Sequence, residues 1–174
     1  MHMKPIQRVA IIGCGGSGKT TIGRRLAAAL GTTITHLDAV YYDDEWNKLP
    51  QDKFAAIQEE LVAADTWVID GNYAGTLPIR LRRATHVIFL DLPGITCLWG
   101  IAQRRWRYRG GQHNDGVYDN INWGFIKYVW GYRREMAPRV RALLDEHGGD
   151  AEVFIVRSRR EANRLTAELE RTAR

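Results

Sequence analysis

Gly13-Cys14-Gly15-Gly16-Ser17-Gly18-Lys19-Thr20-Thr21 (GCGGSGKTT) follows at once on the apolar run Val9-Ala10-Ile11-Ile12 and is followed by Ile22, Leu26, Ala27 and Leu30 at helical spacing. The stretch therefore sits between a buried strand, Arg8 to Ile12, and a helix from Lys19 to Leu30 that Gly31 stops. Its first eight residues fit G-x-x-x-x-G-K-[ST] without exception. Glycines permit the torsions that turn successive N–H groups inward around a phosphate. Lysine then reaches the terminal phosphates, the threonine hydroxyl is a Mg²⁺ ligand, and the helix N-terminus adds partial positive charge. A bare strand-to-helix turn would need neither Lys19 nor Thr20. We therefore assign Gly13, Gly15, Gly16, Ser17, Gly18, Lys19, Thr20 and Thr21 to a nucleotide phosphate, and read Cys14 as a small residue that fits.

The surrounding chain supports a single domain spanning 1–174. Its 174 residues are 45% hydrophobic and 26% charged, enough for one core and too few for two ordinary ones. No apolar run approaches the length of a membrane span, and two cysteines, Cys14 and Cys97, without C-x-x-C spacing fit a reducing compartment, so a cytoplasmic location is expected. A net charge of +5 favours a polyanionic partner without choosing among nucleotide, nucleic acid and acidic lipid.

Further strands are expected at 33–37, 67–69, 86–90 and 152–156, each short and apolar. Helices are expected at 51–64, 77–83, 94–108 and 160–171, and over 121–147 with a break near Pro138. Residues 40–49 read as a loop, and 109–120 as a glycine-rich polar one. Five apolar strands alternating with helices imply an α/β fold, a five-stranded parallel sheet in a three-layer α/β/α P-loop NTPase arrangement.

Many proteins bind nucleotides with this motif. A GTPase would carry Asn-Lys-x-Asp, whereas Asn47-Lys48-Leu49-Pro50 lacks the aspartate; a transporter ATPase would need a longer chain. A small phosphotransferase remains. Its ligands belong at the carboxyl ends of the strands, where Asp38, Asp70 and Asp91 fall. Asp70 is the choice for Mg²⁺ together with Thr20, with Asp91 as runner-up. Asp38 is placed to face the phosphoryl acceptor as hydrogen-bond partner or base. The aromatics just after it, Tyr41, Tyr42 and Trp46, suit a pocket wall or a cover for the sheet edge, with Tyr41 the substrate-side candidate. Gln103 to Gly111 (QRRWRYRGG) ends a helix and opens a loop, as in a lid over about 104–120; Arg104 and Arg109 are the candidates to neutralise charge in transfer. The interleaved Trp and Tyr also admit a nucleic-acid reading. Arg133 and Arg134, one helix later, are placed to face the same cleft, and Trp123, Phe125, Tyr128, Val129 and Tyr132 form a stripe that reads as core.

Together, GCGGSGKTT, THLDAVYYDDEW, WVIDGNYAGTLPIRLRRATHVIFLDLP, WRYRGG and FIVRSRRE resemble the adenylate-kinase-like P-loop kinases and, more closely, the DNA topology modulation (FlaR-like) proteins. The resemblance implies ATP with Mg²⁺, a mobile lid, and an adenine-side loop at Arg157-Ser158-Arg159. Adenylate kinases carry Asp-Gly-Phe-Pro-Arg, whose arginine holds the acceptor phosphate; here Asp70-Gly71-Asn72-Tyr73 stands instead, and arginines arrive only at Arg80, Arg82 and Arg83. Arg80 and Arg83 become the acceptor-side candidates, and AMP is not the default acceptor. The expected function is transfer of the ATP γ-phosphate to a small acceptor, a nucleoside or nucleotide. The alternatives are a nucleotide-binding regulator that interacts with DNA and an ATPase without acceptor.

Overall fold

A computed structural model describes residues 4–42, 47–107 and 122–173. The order of elements is β1 (Arg8–Gly13), α1 (Lys19–Ala29), β2 (Ile34–His36), α2 (Leu37–Tyr41), α3 (Gln51–Val62), β3 (Trp67–Asp70), α4 (Leu77–Leu81), β4 (His86–Leu90), α5 (Gly94–Arg107), α6 (Trp123–His147), β5 (Glu152–Val156) and α7 (Arg159–Thr172). The five strands form one sheet in the order β2-β3-β1-β4-β5, every pair parallel.

Right-handed crossovers explain the layers. From β1 the chain moves leftward to β2 through α1, and every later connection moves rightward, so α1 covers one face while α3 to α6 cover the other. Packing agrees: α1 lies against α7, while α6 lies against α5 and α4. Both faces of the central strands are thereby shielded, and β1, β3 and β4 are buried along nearly their whole length, which is why they read as unbroken apolar runs. Register brings Ile11 opposite both Asp70 and Ile88, and Gly13 opposite Leu90. The carboxyl ends of β3, β1 and β4 thus open side by side where the order of the strands reverses, the crevice in which such sheets take ligands.

Two expectations need correction. The helix break near Pro138 is absent: α6 runs through it. Proline removes one helix hydrogen bond at a cost of about 3 kcal/mol, but Val129, Tyr132, Ala137, Val140 and Leu144 bury one stripe of α6 on both sides of it, and each large apolar side chain so buried returns about 1.5–3 kcal/mol. The expected loop at 40–49 begins instead with α2, anchored by the fully buried Leu37. An antiparallel bridge between Tyr42 and Lys48, with Leu49 N–H donating to the Tyr41 carbonyl at 2.9 Å, then closes it. Trp46 and most of the expected lid, with Arg109, lie outside the described residues. Among the described residues no helix is long and apolar enough to cross a membrane.

Candidate active site

β1 delivers the chain to its turn at Gly13, and α1 starts at its N-cap Gly18. Within the turn, the Ser17 hydroxyl donates to the Cys14 carbonyl at 2.7 Å, and the Lys19 ammonium donates to the Gly13 and Cys14 carbonyls at 2.9 Å each. Lys19 is thus folded over the loop it belongs to, where its charge faces the ring of backbone groups. Gly16 has φ +74° and Gly18 φ +100°, the left-handed torsions that the motif's glycines were expected to supply. Gly16 also packs against α5: a Cβ there would overlap the Cys97 carbonyl oxygen. Phe125 of α6 lies against Gly15. Arg159, at the start of α7, donates to the Gly16 carbonyl at 3.3 Å, the Thr96 carbonyl at 3.4 Å and Gln103 Oε1 at 3.3 Å. Three helices therefore hold this loop in place. The buried thiols of Cys14 and Cys97 share a hydrogen bond, which pushes Cys14 up and Cys97 down in pKa.

Asp70, buried at the end of β3, faces the first turn of α1: the Thr20 hydroxyl reaches Asp70 Oδ2 at 3.4 Å, and His36 Nδ1 lies 2.9 Å from Asp70 Oδ1. A hydroxyl and a carboxylate are hard oxygen donors of the kind Mg²⁺ takes, and Mg²⁺ on a nucleotide completes its shell from water and phosphate. Thr20 and Asp70 fit that role. Among the described residues no three His, Cys, Asp or Glu side chains group into a fuller metal site. Asp91, the runner-up, is committed elsewhere: Arg141 donates to its Oδ2, and Arg133 Nε lies 3.3 Å from its Oδ1 in an ion pair without hydrogen-bond alignment.

Beyond Asp70 the chain turns through Gly71-Asn72-Tyr73, with Tyr73 at φ +28°, a torsion that non-glycine residues rarely hold. The Tyr73 hydroxyl donates to Asp38 Oδ1 at 2.6 Å. Burial, with the Asp38 charge and hydrogen bond behind it, pushes the Tyr73 phenol up. Its ring packs at 4.9 Å from both Tyr41 and Phe54. Asn72 is clamped from α6: its side-chain Nδ2 donates to the Tyr128 hydroxyl at 2.9 Å, and the Tyr132 hydroxyl donates to its Oδ1 at 2.8 Å. Tyr128 keeps part of its ring exposed, but desolvation raises its phenol to about 12, with smaller contributions from Cys14 and Asp38.

Several candidates stand elsewhere than expected. Arg80 is wholly buried, donating to the Gly71 carbonyl at 2.8 Å and the Asn72 carbonyl at 3.1 Å. It shapes the turn from behind instead of facing the cleft, and desolvation lowers its pKa to about 10 even with Asp70 nearby. Arg83 sits at the opposite end of the sheet, its carbonyl accepting from Arg8 Nε and its own Nε reaching the Val62 carbonyl at 3.4 Å. Arg133 is drawn to Asp91. Arg157 and Thr21 are exposed, and Arg104, in the last turn of α5, is half-buried. Asp38 lies in the first turn of α2, just past the end of β2.

Comparison with known proteins supplies the frame. No family model matches the chain. A stretch of 64 residues, 33% of the chain, is 36% identical to the shikimate kinase of Mycobacterium ulcerans (strain Agy99) and amounts to 35% of that protein. The chain thus spans about a third of the curated relative it matches. Among solved structures, a shikimate kinase from Acinetobacter baumannii in complex with shikimate superposes with TM-score 0.56 at 18% identity, covering 94% of this chain and 90% of that one. A putative kinase from Chloroflexus aurantiacus J-10-fl gives 0.53 at 14% identity over 95% and 98% of the two chains. A sugar kinase from Janibacter sp. HTCC2649 gives 0.50 at 14% over 97% and 92%. The chain shares with these proteins the α/β fold built on a five-stranded parallel sheet.

On this fold, the groups that sequence reasoning overlooked are informative. His36 precedes Asp38 by two residues and passed as strand. Tyr128 and Tyr132 are one helical turn apart and passed as core, yet both hydroxyls turn to Asn72. In that stripe Val129 and Tyr132 are buried, whereas Trp123 and Tyr128 are exposed. Cys97 gave no signal, because its contact with the glycine loop depends on how α5 packs.

Proposed function

We propose that the protein is an ATP-dependent kinase that transfers the γ-phosphoryl group to a hydroxyl of a small molecule. One observation carries the reading: a complete phosphate-binding loop with Lys19, and Thr20 beside Asp70, lies next to a second carboxylate, Asp38, which follows the Asp70 partner His36 by two residues and is bonded by Tyr73 of the turn after Asp70. The likeness of its fold to a shikimate kinase and a further kinase, and the segment shared with a shikimate kinase, support it.

Backbone N–H groups of 13–18 and the α1 N-terminus would bind the phosphates, and Lys19 would swing from its loop carbonyls to them. Thr20 and Asp70 would hold Mg²⁺, which when bound supplies charge neutralisation at the phosphates. His36 fixes the Asp70 carboxylate. Asp38, oriented by the Tyr73 hydroxyl, accepts the proton of an acceptor hydroxyl, a role a carboxylate can fill and an acceptor attacking through a phosphate oxygen would not require. Arg104 and Arg109 would supply charge over the moving group, and Arg157 with Arg159 border the nucleotide on the α7 side. The acceptor is a hydroxyl compound such as a nucleoside or sugar.

Lys19→Ala is expected to lower turnover by about 10²-fold or more, the scale of losing one preorganised charge contact, while melting stays near that of the parent. Turnover within twofold of the parent would sink the assignment. A second reading, a nucleotide-switched nucleic-acid binder akin to DNA topology modulation proteins, draws on Trp106, 87% exposed among Arg104, Arg105 and Arg107. Duplex binding that weakens steeply with salt would support it; no binding at low salt removes it.

A further inference from the structure

The acceptor side of the crevice has a chemical character that the overall reading leaves open. Its wall is the Asp38 carboxylate, the Tyr73 hydroxyl bound to it at 2.6 Å, and the Asn72 amide held by Tyr128. Beneath Asp38 lies a set of packed rings: Tyr41 meets Phe54 at 4.8 Å and Tyr73 at 4.9 Å. Every one of these groups is either neutral or negative.

The three arginines that the sequence offered to an anionic acceptor, Arg80, Arg83 and Arg133, are engaged elsewhere. Arg80 lies behind the turn with both hydrogen-bonding ends on the Gly71 and Asn72 carbonyls. Arg133 faces Asp91, and Arg83 is at the far end of the sheet. Burial first, and then the Asp38 charge and hydrogen bond, raise the Tyr73 phenol, as a carboxylate beside it would.

We infer that the acceptor is an uncharged, hydroxyl-bearing ring compound, a nucleoside or a neutral sugar, and that Asp38 excludes its carboxylated and phosphorylated counterparts. The inference rests on the kinase reading above and sharpens it. Aromatic faces beside a carboxylate suit a flat or chair-shaped ring whose apolar face packs on tyrosine while its hydroxyls meet Asp38 and Asn72. An anion held about 4 Å from the Asp38 charge in a partly dry cleft loses about 10²-fold or more in affinity.

The test is calorimetric binding in the presence of Mg²⁺ and a slowly hydrolysed ATP analogue, using pairs that differ by an anionic group: adenosine and AMP, glucose and glucuronate, methyl shikimate and shikimate. The nucleoside pair separates a nucleoside from the other two, a sugar and a hydroxylated carbocycle, which offer the same hydroxyl-ring chemistry. At least one neutral member should bind about 10²-fold or more tighter than its anionic partner, and no pair should show the reverse. Asp38→Asn should shrink that gap to about twofold, and Tyr73→Phe, which removes the donor from the carboxylate, should widen it. An anionic member binding tighter, no neutral member binding, or a gap unmoved in both variants would each overturn the inference. The kinase reading fails on a different result, ATP consumption that does not depend on Lys19.

Discussion

Gly16 and Gly18 carry the same torsional demand but different surroundings, and alanine at each position isolates what packing adds. Both have left-handed φ, +74° and +100°, so alanine costs about 1–3 kcal/mol at either from backbone strain alone. At Gly18 an added Cβ meets nothing within 4 Å. At Gly16 the Cβ would overlap the Cys97 carbonyl and lie 2.8 Å from Ile101 Cγ1 and 3.0 Å from Ile101 N. These are atoms of α5, backbone included, and cannot swing aside as a flexible side chain would. Forcing a packed helix to retreat adds about 1–3 kcal/mol. In a domain of this size each kcal/mol moves the melting temperature by about 2–4 °C, so Gly16→Ala should melt roughly 2–12 °C below Gly18→Ala. Differential scanning calorimetry reads the gap. Gly100→Ala is the reciprocal check, since its Cβ would meet the Gly16 carbonyl: in an open helix the change would stabilise by up to about 1 kcal/mol, and here it should destabilise. If Gly16→Ala melts with or above Gly18→Ala, the loop is not braced by α5 as described.

Other perturbations follow from single contacts. Arg80→Met orphans two carbonyls at about 1–3 kcal/mol each but relieves a guanidinium whose lowered pKa marks a penalty of about 3 kcal/mol. Urea unfolding should therefore show a net change within about 3 kcal/mol, while the acceptor KM rises because the Gly71–Asn72 turn is no longer held; an unchanged KM would separate Arg80 from the site. His86 is buried beside Thr85, and burial lowers its pKa from 6.5 despite Glu152. Below pH 6.5 the unfolded chain therefore binds the proton that the folded one refuses, stability falls with pH, and His86→Gln should flatten that slope in thermal melts between about pH 6.5 and 5. Arg25 and Glu170 join α1 to α7 by two hydrogen bonds of 2.8 and 2.6 Å, but the pair is partly exposed. Glu170→Gln should cost under about 1 kcal/mol by urea unfolding, and a larger loss would mean that the α1–α7 seam depends on this pair.

Much of the architecture was legible because it follows from local rules. The expected β4 and β5 coincide with the observed strands, since both are short apolar runs bounded by turn residues. The glycine loop announced itself by spacing alone. What stayed hidden depends on long-range packing. Nothing local distinguishes Arg80, which folds behind its own turn, from Arg82 beside it, which is exposed. Pro138 breaks helices as a rule, and α6 overrides the rule through burial on both sides of it. Asp70 and Asp91 look equivalent at strand ends; only the tertiary approach of Thr20 and His36 to one, and of Arg133 and Arg141 to the other, tells them apart.

The central claim is that the phosphate leaves ATP for a second molecule instead of water. Phosphorus NMR of the protein with Mg²⁺, ATP and, in turn, adenosine, glucose and methyl shikimate tests it directly. The account predicts a new phosphomonoester resonance growing in step with ADP for at least one acceptor, and its loss in Lys19→Ala. ADP and inorganic phosphate accumulating at one rate whatever acceptor is present would contradict it.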